Sequence, residues 1–215
     1  NLTVLEDLSL QLAWDVALKE ALSGTIKLQR LAGDILVPAE PSFPLGLKHS
    51  EVVLTIVPGA GGRSMLNADV DIQTEKMGYI KAKGTSPIYY SKANGFEIRT
   101  ADRKELVVNA HMDNLTWTNL ILRDQLELGG ELVANVTVQS TADGSFTTQG
   151  DITGDNLRIT RLDDGVRLLN GNLKANLNNN RFTVERLYFP AQLRVEPKEW
   201  RTATWIREAD DAQNG

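Results

Sequence analysis

Two histidines, the adjacent aspartates Asp163-Asp164 and one glycine cluster are the residues that invite a chemical reading. His49 and His111 stand far apart in the chain, and neither has a partner at metal-ligand spacing. A histidine metal site needs several convergent ligands, so both read as surface or turn residues. Asp163-Asp164 has the residue types of a glycosidase carboxylate pair, but adjacent acids in front of Gly165 are turn chemistry. Pro58-Gly59-Ala60-Gly61-Gly62 has the composition of a phosphate cradle. No Lys-Ser/Thr pair and no helical pattern follow it, so it reads as a hairpin tip. Serines are present without a Gly-x-Ser-x-Gly elbow, and cysteine is absent, which excludes thiolate ligands and thiol nucleophiles. Three Asn-x-Thr triplets, at Asn1, Asn114 and Asn135, match a short and common glycosylation pattern that matters only on a eukaryotic secretory route. The expectation is a protein that is no enzyme and needs neither metal nor cofactor.

Composition narrows the class. The chain has 215 residues, 41% hydrophobic and 24% charged, which is ordinary folded material. Its net charge of −5, with no basic cluster, argues against a nucleic-acid partner. No apolar run approaches the ~20 residues of a membrane-spanning helix. A chain without cysteine is compatible with an oxidising periplasm. The sequence opens inside a strand pattern and ends in a polar tail, the expectation for one all-β segment over 1–215 excised from a longer chain.

The elements follow from a period of two. From Gln149 to Phe189, short apolar-polar alternations succeed one another: Ile152, then Leu157 and Ile159, Val166 and Leu168, Leu173, Ala175 and Leu177, and Phe182 and Val184. Gly154-Asp155-Asn156, Asp163-Asp164-Gly165 and Asn178-Asn179-Asn180 separate them and read as turns. Each strand therefore has one wet and one dry face. Leu8, Leu10, Leu12, Trp14, Val16 and Leu18 form the cleanest alternation, although Trp14, Leu18 and Leu22 also stand four apart in helix-forming company. Ser23-Gly24 reads as a turn before Ile26 and Leu28. Pro38, Pro41 and Pro44 predict a loop or an edge segment between Gly33 and Ser50. Further strands are predicted over Val52–Val57, Leu66–Ile72, Tyr79–Lys83 before a break at Pro87, Phe96–Thr100, Glu105–Met112, Leu115–Leu122 and Leu132–Val138. Pro197 predicts a short C-terminal helix to about Ala209, with Trp200 and Trp205 packing it onto the sheet. A faint repeat of Gly followed two positions on by an apolar residue, as in Gly130-Glu131-Leu132 and Gly150-Asp151-Ile152, suggests strand-turn-strand units added in series.

Three stretches carry a resemblance to a known family: LSGTIKLQRLAGDI from Leu22, PLGLKHSEVVLTI from Pro44, and GDITGDNLRITRLDDGVRLLNGNLKANLNNNRFTVERLYF from Gly150. Together they resemble the C-terminal region of the TamB family, the inner-membrane-anchored subunits of the translocation and assembly module. The steps Arg30…Gly33-Asp34 and Gly171…Arg181-Phe182…Leu187 are especially similar, and the likeness covers about Leu8 to Phe189. The resemblance implies a long curved β-sheet bent into a U-shaped groove, or β-taco, with an apolar interior. It implies a periplasmic location, a parent protein anchored in the inner membrane, phospholipid acyl chains as cargo and an Omp85-type outer-membrane barrel as partner. A related implication is help in assembling outer-membrane β-barrels and autotransporters, with a nascent strand in the groove.

The dry faces supply the lining that such a groove needs: Leu8, Leu10, Leu12, Trp14, Val16, Leu18, Ile26, Leu28, Leu66, Val70, Ile72, Leu132, Val136, Val138, Ile152, Leu157, Ile159, Leu173 and Leu177. Alternation alone leaves three readings open: a lipid-conducting groove, a groove that holds β-strands, and a plain β-sandwich whose dry faces meet each other.

Overall fold

The computed structural model describes residues 4–19, 21–37, 43–119, 126–163 and 165–190. Twelve strands account for most of them: β1 (Val4–Leu18), β2 (Leu22–Val37), β3 (Phe43–Pro44), β4 (Leu47–Pro58), β5 (Arg63–Thr74), β6 (Tyr79–Ser91), β7 (Gly95–Glu97), β8 (Glu105–Met112), β9 (Leu126–Ser140), β10 (Phe146–Arg161), β11 (Arg167–Asn178) and β12 (Arg181–Tyr188). They form one open antiparallel sheet in the order β1-β2-β4-β5-β6-β8-β9-β10-β11-β12, with β3 paired to β2 and β7 to β6. Each long strand pairs with the next long strand in the chain. The topology therefore needs only hairpin-type returns, whose chemistry the turn residues supply.

The sheet is a single layer. Substantial contacts run between sheet neighbours, with a few more between β2 and β5. Among the described residues no second sheet covers the first, so the sandwich anticipated as one alternative does not form. The reason lies in the topology: each long strand lies beside its predecessor in the same sheet, whereas a sandwich needs connections that cross between layers.

The β2–β5 contact shows which way the sheet bends. These two strands flank β4, and strands once removed in a flat sheet lie about 9.5 Å apart. Yet the Ser64 hydroxyl donates to the Leu22 carbonyl at 2.7 Å. Ser64 is 1% exposed and Leu22 7%. Pro58, opposite Ser64 at the end of β4, has no N–H to offer. Ser64 has the same face as Leu66, so at this corner the sheet curls toward that face.

Several sequence expectations are corrected by position in the sheet. Leu8 to Leu18 is strand, as the alternation predicts, and the helical spacing of Trp14, Leu18 and Leu22 has no consequence. Ser23 and Gly24 are not a turn; they pair with Ala17 and Val16 inside β2. Pro87 does not break β6, where it pairs with Met65 of β5. On its other flank β8 stops at Thr85 and β7 begins at Tyr89, so no ladder bond is asked of the proline nitrogen. Gly154-Asp155-Asn156 is a bulge within the continuous β10, with Asn156 at φ 49°. Such a left-handed residue can re-aim a strand as well as reverse it. Of the Phe96–Thr100 stretch only Phe96 and Glu97 are strand, within β7. Thr116–Thr118 is a 3-10 turn, not strand. That turn stands beside β9 where β8 has ended, with Leu115 N donating to the Gly130 carbonyl and the Asn119 amide oxygen accepting from Leu128 N. The Asn178–Asn180 turn is as predicted, with Asn179 and Asn180 at φ 48° and 63°. Pro38, Pro41, Asp164 and the helix expected from Pro197 to Ala209, with Trp200 and Trp205, lie outside the described residues.

Candidate functional site: an uncovered apolar sheet face

Residues paired across antiparallel strands share a face, so the register turns local alternation into a map of the sheet. Leu12 pairs with Leu28, and the row continues through Val52, Val70, Ala82 and Val108 to Val136. From Val136 it passes to Gly150, Leu177 and Phe182. Beside it, Trp14, Ile26, Leu54, Ala68, Gly84, Leu106 and Val138 form a second row. A third holds Val16, Gly24, Ile56 and Leu66, with Leu18 paired to Leu22 next to it. On the other side run Ile72, Ile80, Ala110, Ala134, Ile152 and Ala175, and then Met112, Leu132, Gly154 and Leu173. No charged residue stands in these rows.

Seventeen of the nineteen residues expected to line a groove are thus brought onto one apolar surface. Leu157 and Ile159 remain on it although a bulge precedes them, because the bulge restores the phase: Leu157 pairs with Gly171, and Ile159 with Leu128 and Leu168. The ring of Phe189 stands where a side chain on Gly171 would be, 2.3 Å from the built Cβ position. Two expectations are modified at the end of β1. Leu8 falls in a bulge between Glu6 and Ser9, and Leu10 is paired with the cationic Arg30. The apolar rows therefore stop near Leu10.

Sequence reasoning passed over Val52, Leu54, Ile56, Ile80, Ala82, Leu106, Val108 and Ala110, which complete the same face. Their signal was masked because Val53, Val57, Val107 and Val133 put apolar residues on the opposite face as well. Alternation was blurred where both faces carry valine.

The opposite face is polar and ionic. Gln29, Glu51, Asp71, Lys81, Asn109, Asn135, Asp151 and Asn176 make one of its rows. Lys27 reaches Glu51 at 2.5 Å, Lys81 reaches Asp71 at 3.3 Å and Lys174 reaches Glu185 at 2.8 Å. The pair with Lys174, joined by the Asn176 amide, holds the Glu185 carboxyl below its ordinary pKa. Acidic β5 against basic β6 also selects the register, since a one-residue slip would move every charge to the apolar side.

The residues that invited a chemical reading are also on the polar side or in turns. His49, Gln73, Tyr79 and His111 fall in one row, so the histidines are three strand spacings apart, roughly 14 Å. His111 Nε2 is 3.2 Å from Asp113, and its ring meets Tyr79 edge-on. Asp163 is in the β10–β11 turn. Gly59 to Gly62 form the β4–β5 tip, with Gly59 N donating to the Arg63 carbonyl. Among the described residues no group of three His, Asp or Glu could hold a metal ion. Shallow depressions of about 240, 390 and 520 Å³ lie on the polar side; that of about 520 Å³ is lined by Gln73, Tyr79, Lys81, Lys83, Asn109 and Asn135.

Fold and face together define a class: an open, single-layer antiparallel sheet with a continuous apolar surface on one side and an ion-paired one on the other. No family model matches the chain, and no significant match was found among characterised proteins or solved structures.

Proposed function

We propose that the apolar face is a conduit for phospholipid acyl chains, and that the chain is a segment of a groove protein moving phospholipid between the inner and outer membranes of a Gram-negative envelope. The observation that carries this reading is the uncovered apolar face, whose central row runs without a charge from Leu12 of β1 to Phe182 of β12. Soluble proteins rarely expose apolar patches above a few hundred Å², and a larger one marks a surface that meets lipid or protein. Burying hydrocarbon is worth about 0.8 kcal/mol per CH₂, so a two-chain lipid needs apolar wall along its whole length. A converging polar cleft would serve catalysis better, but an evenly aliphatic surface suits a ligand that must slide. The curl at Ser64 toward the apolar side is what a groove with a dry interior requires. The sequence resemblance to the TamB family supplies the rest of the proposal: a periplasmic location, an anchored parent protein and an Omp85-type partner.

The test is a charge on the groove floor. Val136 stands mid-row between Val108 and Gly150 and is half-buried. Val136→Arg should leave the protein folded, because in an open sheet the long side chain still reaches water. It should weaken uptake of a spin-labelled phospholipid at least about tenfold, since an unpaired guanidinium in the path of acyl chains is costly to desolvate. Thr137→Arg, on the polar face, should bind like wild type. A folded Val136→Arg protein with full uptake would show that lipid does not pass this point.

A further inference from the structure

Arg30 brings a cation to the apolar side of the sheet. It pairs with Leu10 of β1, two positions on from the pair of Leu12 and Leu28, so it leaves the backbone on the same face as they do. It borders the apolar rows without entering them. β2 and β4 are last paired at Gln29 and Glu51, which puts Ser50 beside Arg30 one step further along. On its other flank Ser50 pairs with Ile72 of the apolar rows. Arg30 and Ser50 are both half-buried. The Arg30 Nε donates to the Gly33 carbonyl at 2.7 Å, which anchors one edge of the guanidinium. Among the described residues no acceptor takes its two terminal nitrogens. Asp34 is near enough for the two charges to act on each other. Its oxygens accept from the N–H groups of Ile35, Gly46 and Leu47, and no ion pair joins it to Arg30. Other cations of the sheet are differently placed. Lys27, Lys81 and Lys174 each meet a carboxylate on the polar face, and the Lys104 ammonium donates to the carbonyls of Arg99, Thr100 and Asp102.

We propose that Arg30, with Ser50 beside it, holds the phosphate of a phospholipid whose acyl chains lie on the apolar rows. This rests on the acyl-chain reading of that face and says where the headgroup goes. The chemistry matches. A phosphodiester carries one negative charge on two free oxygens, and a guanidinium presents N–H groups side by side in a fork of the same spacing. The Ser50 hydroxyl is a further donor at the same place. Burial also favours an anion here, because a half-buried guanidinium without a carboxylate is a charge that an incoming phosphate compensates. The position matches as well. The rows cross the strands, so chains laid along them run from strand to strand. Arg30 stands at the margin of those rows, where a headgroup clears the apolar floor and reaches water. Leu10, Leu28 and Val52 stand next to it as wall for the first CH₂ groups of the chains. A lipid with the same chains and no phosphate has nothing to offer Arg30.

The test compares two probes, a spin-labelled phosphatidylcholine and a diacylglycerol with the same chains and label, each offered in detergent micelles. The wild-type protein should bind the phospholipid about tenfold more tightly than the diacylglycerol. Arg30→Gln should weaken phospholipid binding about tenfold and leave diacylglycerol binding unchanged. Ser50→Asp sets a carboxylate beside Arg30 without touching its bond to Gly33, and should have the same effect. Circular dichroism should be unchanged in both variants, and Ser50→Asp decides the matter if Arg30→Gln does not fold. Glycerophosphocholine, the same phosphodiester without chains, should not displace the phospholipid at equal concentration. Displacement would show that the site takes a free phosphodiester, and would overturn the proposal. Equal binding of the two lipids by wild type, or folded variants that lose both lipids equally or neither, would overturn it while the acyl-chain reading stands. A wild-type protein that binds neither lipid would overturn both.

Discussion

At the residue scale, one carboxylate holds the irregular corner of the sheet in place. Asp34 accepts from Ile35 N at 2.7 Å, Leu47 N at 2.9 Å and Gly46 N at 2.9 Å, joining the end of β2 to the start of β4. Burial alone would raise its pKa. The three backbone donors and nearby Arg30 outweigh that and hold it below the ordinary carboxylate value of 3.8. A depressed folded pKa means that the stabilisation is complete above the unfolded value and is lost as pH falls through the folded one. Asp34→Ala leaves the Gly46 and Leu47 N–H groups without this acceptor and should cost about 1–3 kcal/mol at pH 7, read from urea denaturation. The difference from wild type should narrow as pH drops below about 3.8. A gap that persists undiminished at pH 2 would mean that Asp34 acts through packing and not through charge. Gly78 is a second fixed point: at φ 118° its built Cβ position is 2.0 Å from the His111 carbonyl oxygen, so even alanine there should destabilise β6 against β8.

At the element scale, the bend depends on two strands meeting across the end of a third. Ser64→Ala removes the donor to Leu22 O in a nearly solvent-free corner. The loss should be about 1–3 kcal/mol, because the carbonyl is left unsatisfied where water has little access. Thr55→Ala, on the opposite face of β4, is the control and should stay within about 0.5 kcal/mol. Equal effects of the two changes would argue that the curl at Ser64 contributes nothing to stability. The ion pairs between β5 and β6 are a weaker device. Exposed pairs contribute about 0–1 kcal/mol each, so they serve register more than stability.

At the scale of the whole molecule, a single layer has a gradient of protection. Among the described residues, the interior strands of the main path have a neighbour on both flanks, while β1 and β12 have one. Local opening is governed by such contact density. In dilute protein, hydrogen exchange should be fastest in β1 and β12 and slowest in the middle of the sheet, at β5, β6, β8 and β9. Uniform protection across all strands would point to a second layer over the sheet.

The sequence by itself determined the strand content, the polarity of each strand's two faces and the hairpin at Asn179-Asn180. These are local matters: a period of two is set by the pleat, and positive φ by the few residues that tolerate it. Only the tertiary structure decided that the dry faces join into one surface, that no second layer seals it among the described residues, and that it curls toward the apolar side at Ser64. Those outcomes rest on register between strands, which no single strand contains. The same holds for Pro87, whose missing N–H is harmless because of where β8 stops, and for Asn156, whose left-handed backbone makes a bulge because β9 and β11 continue past it. Residue types name what a position can do, and the neighbouring strands determine which of those options is taken.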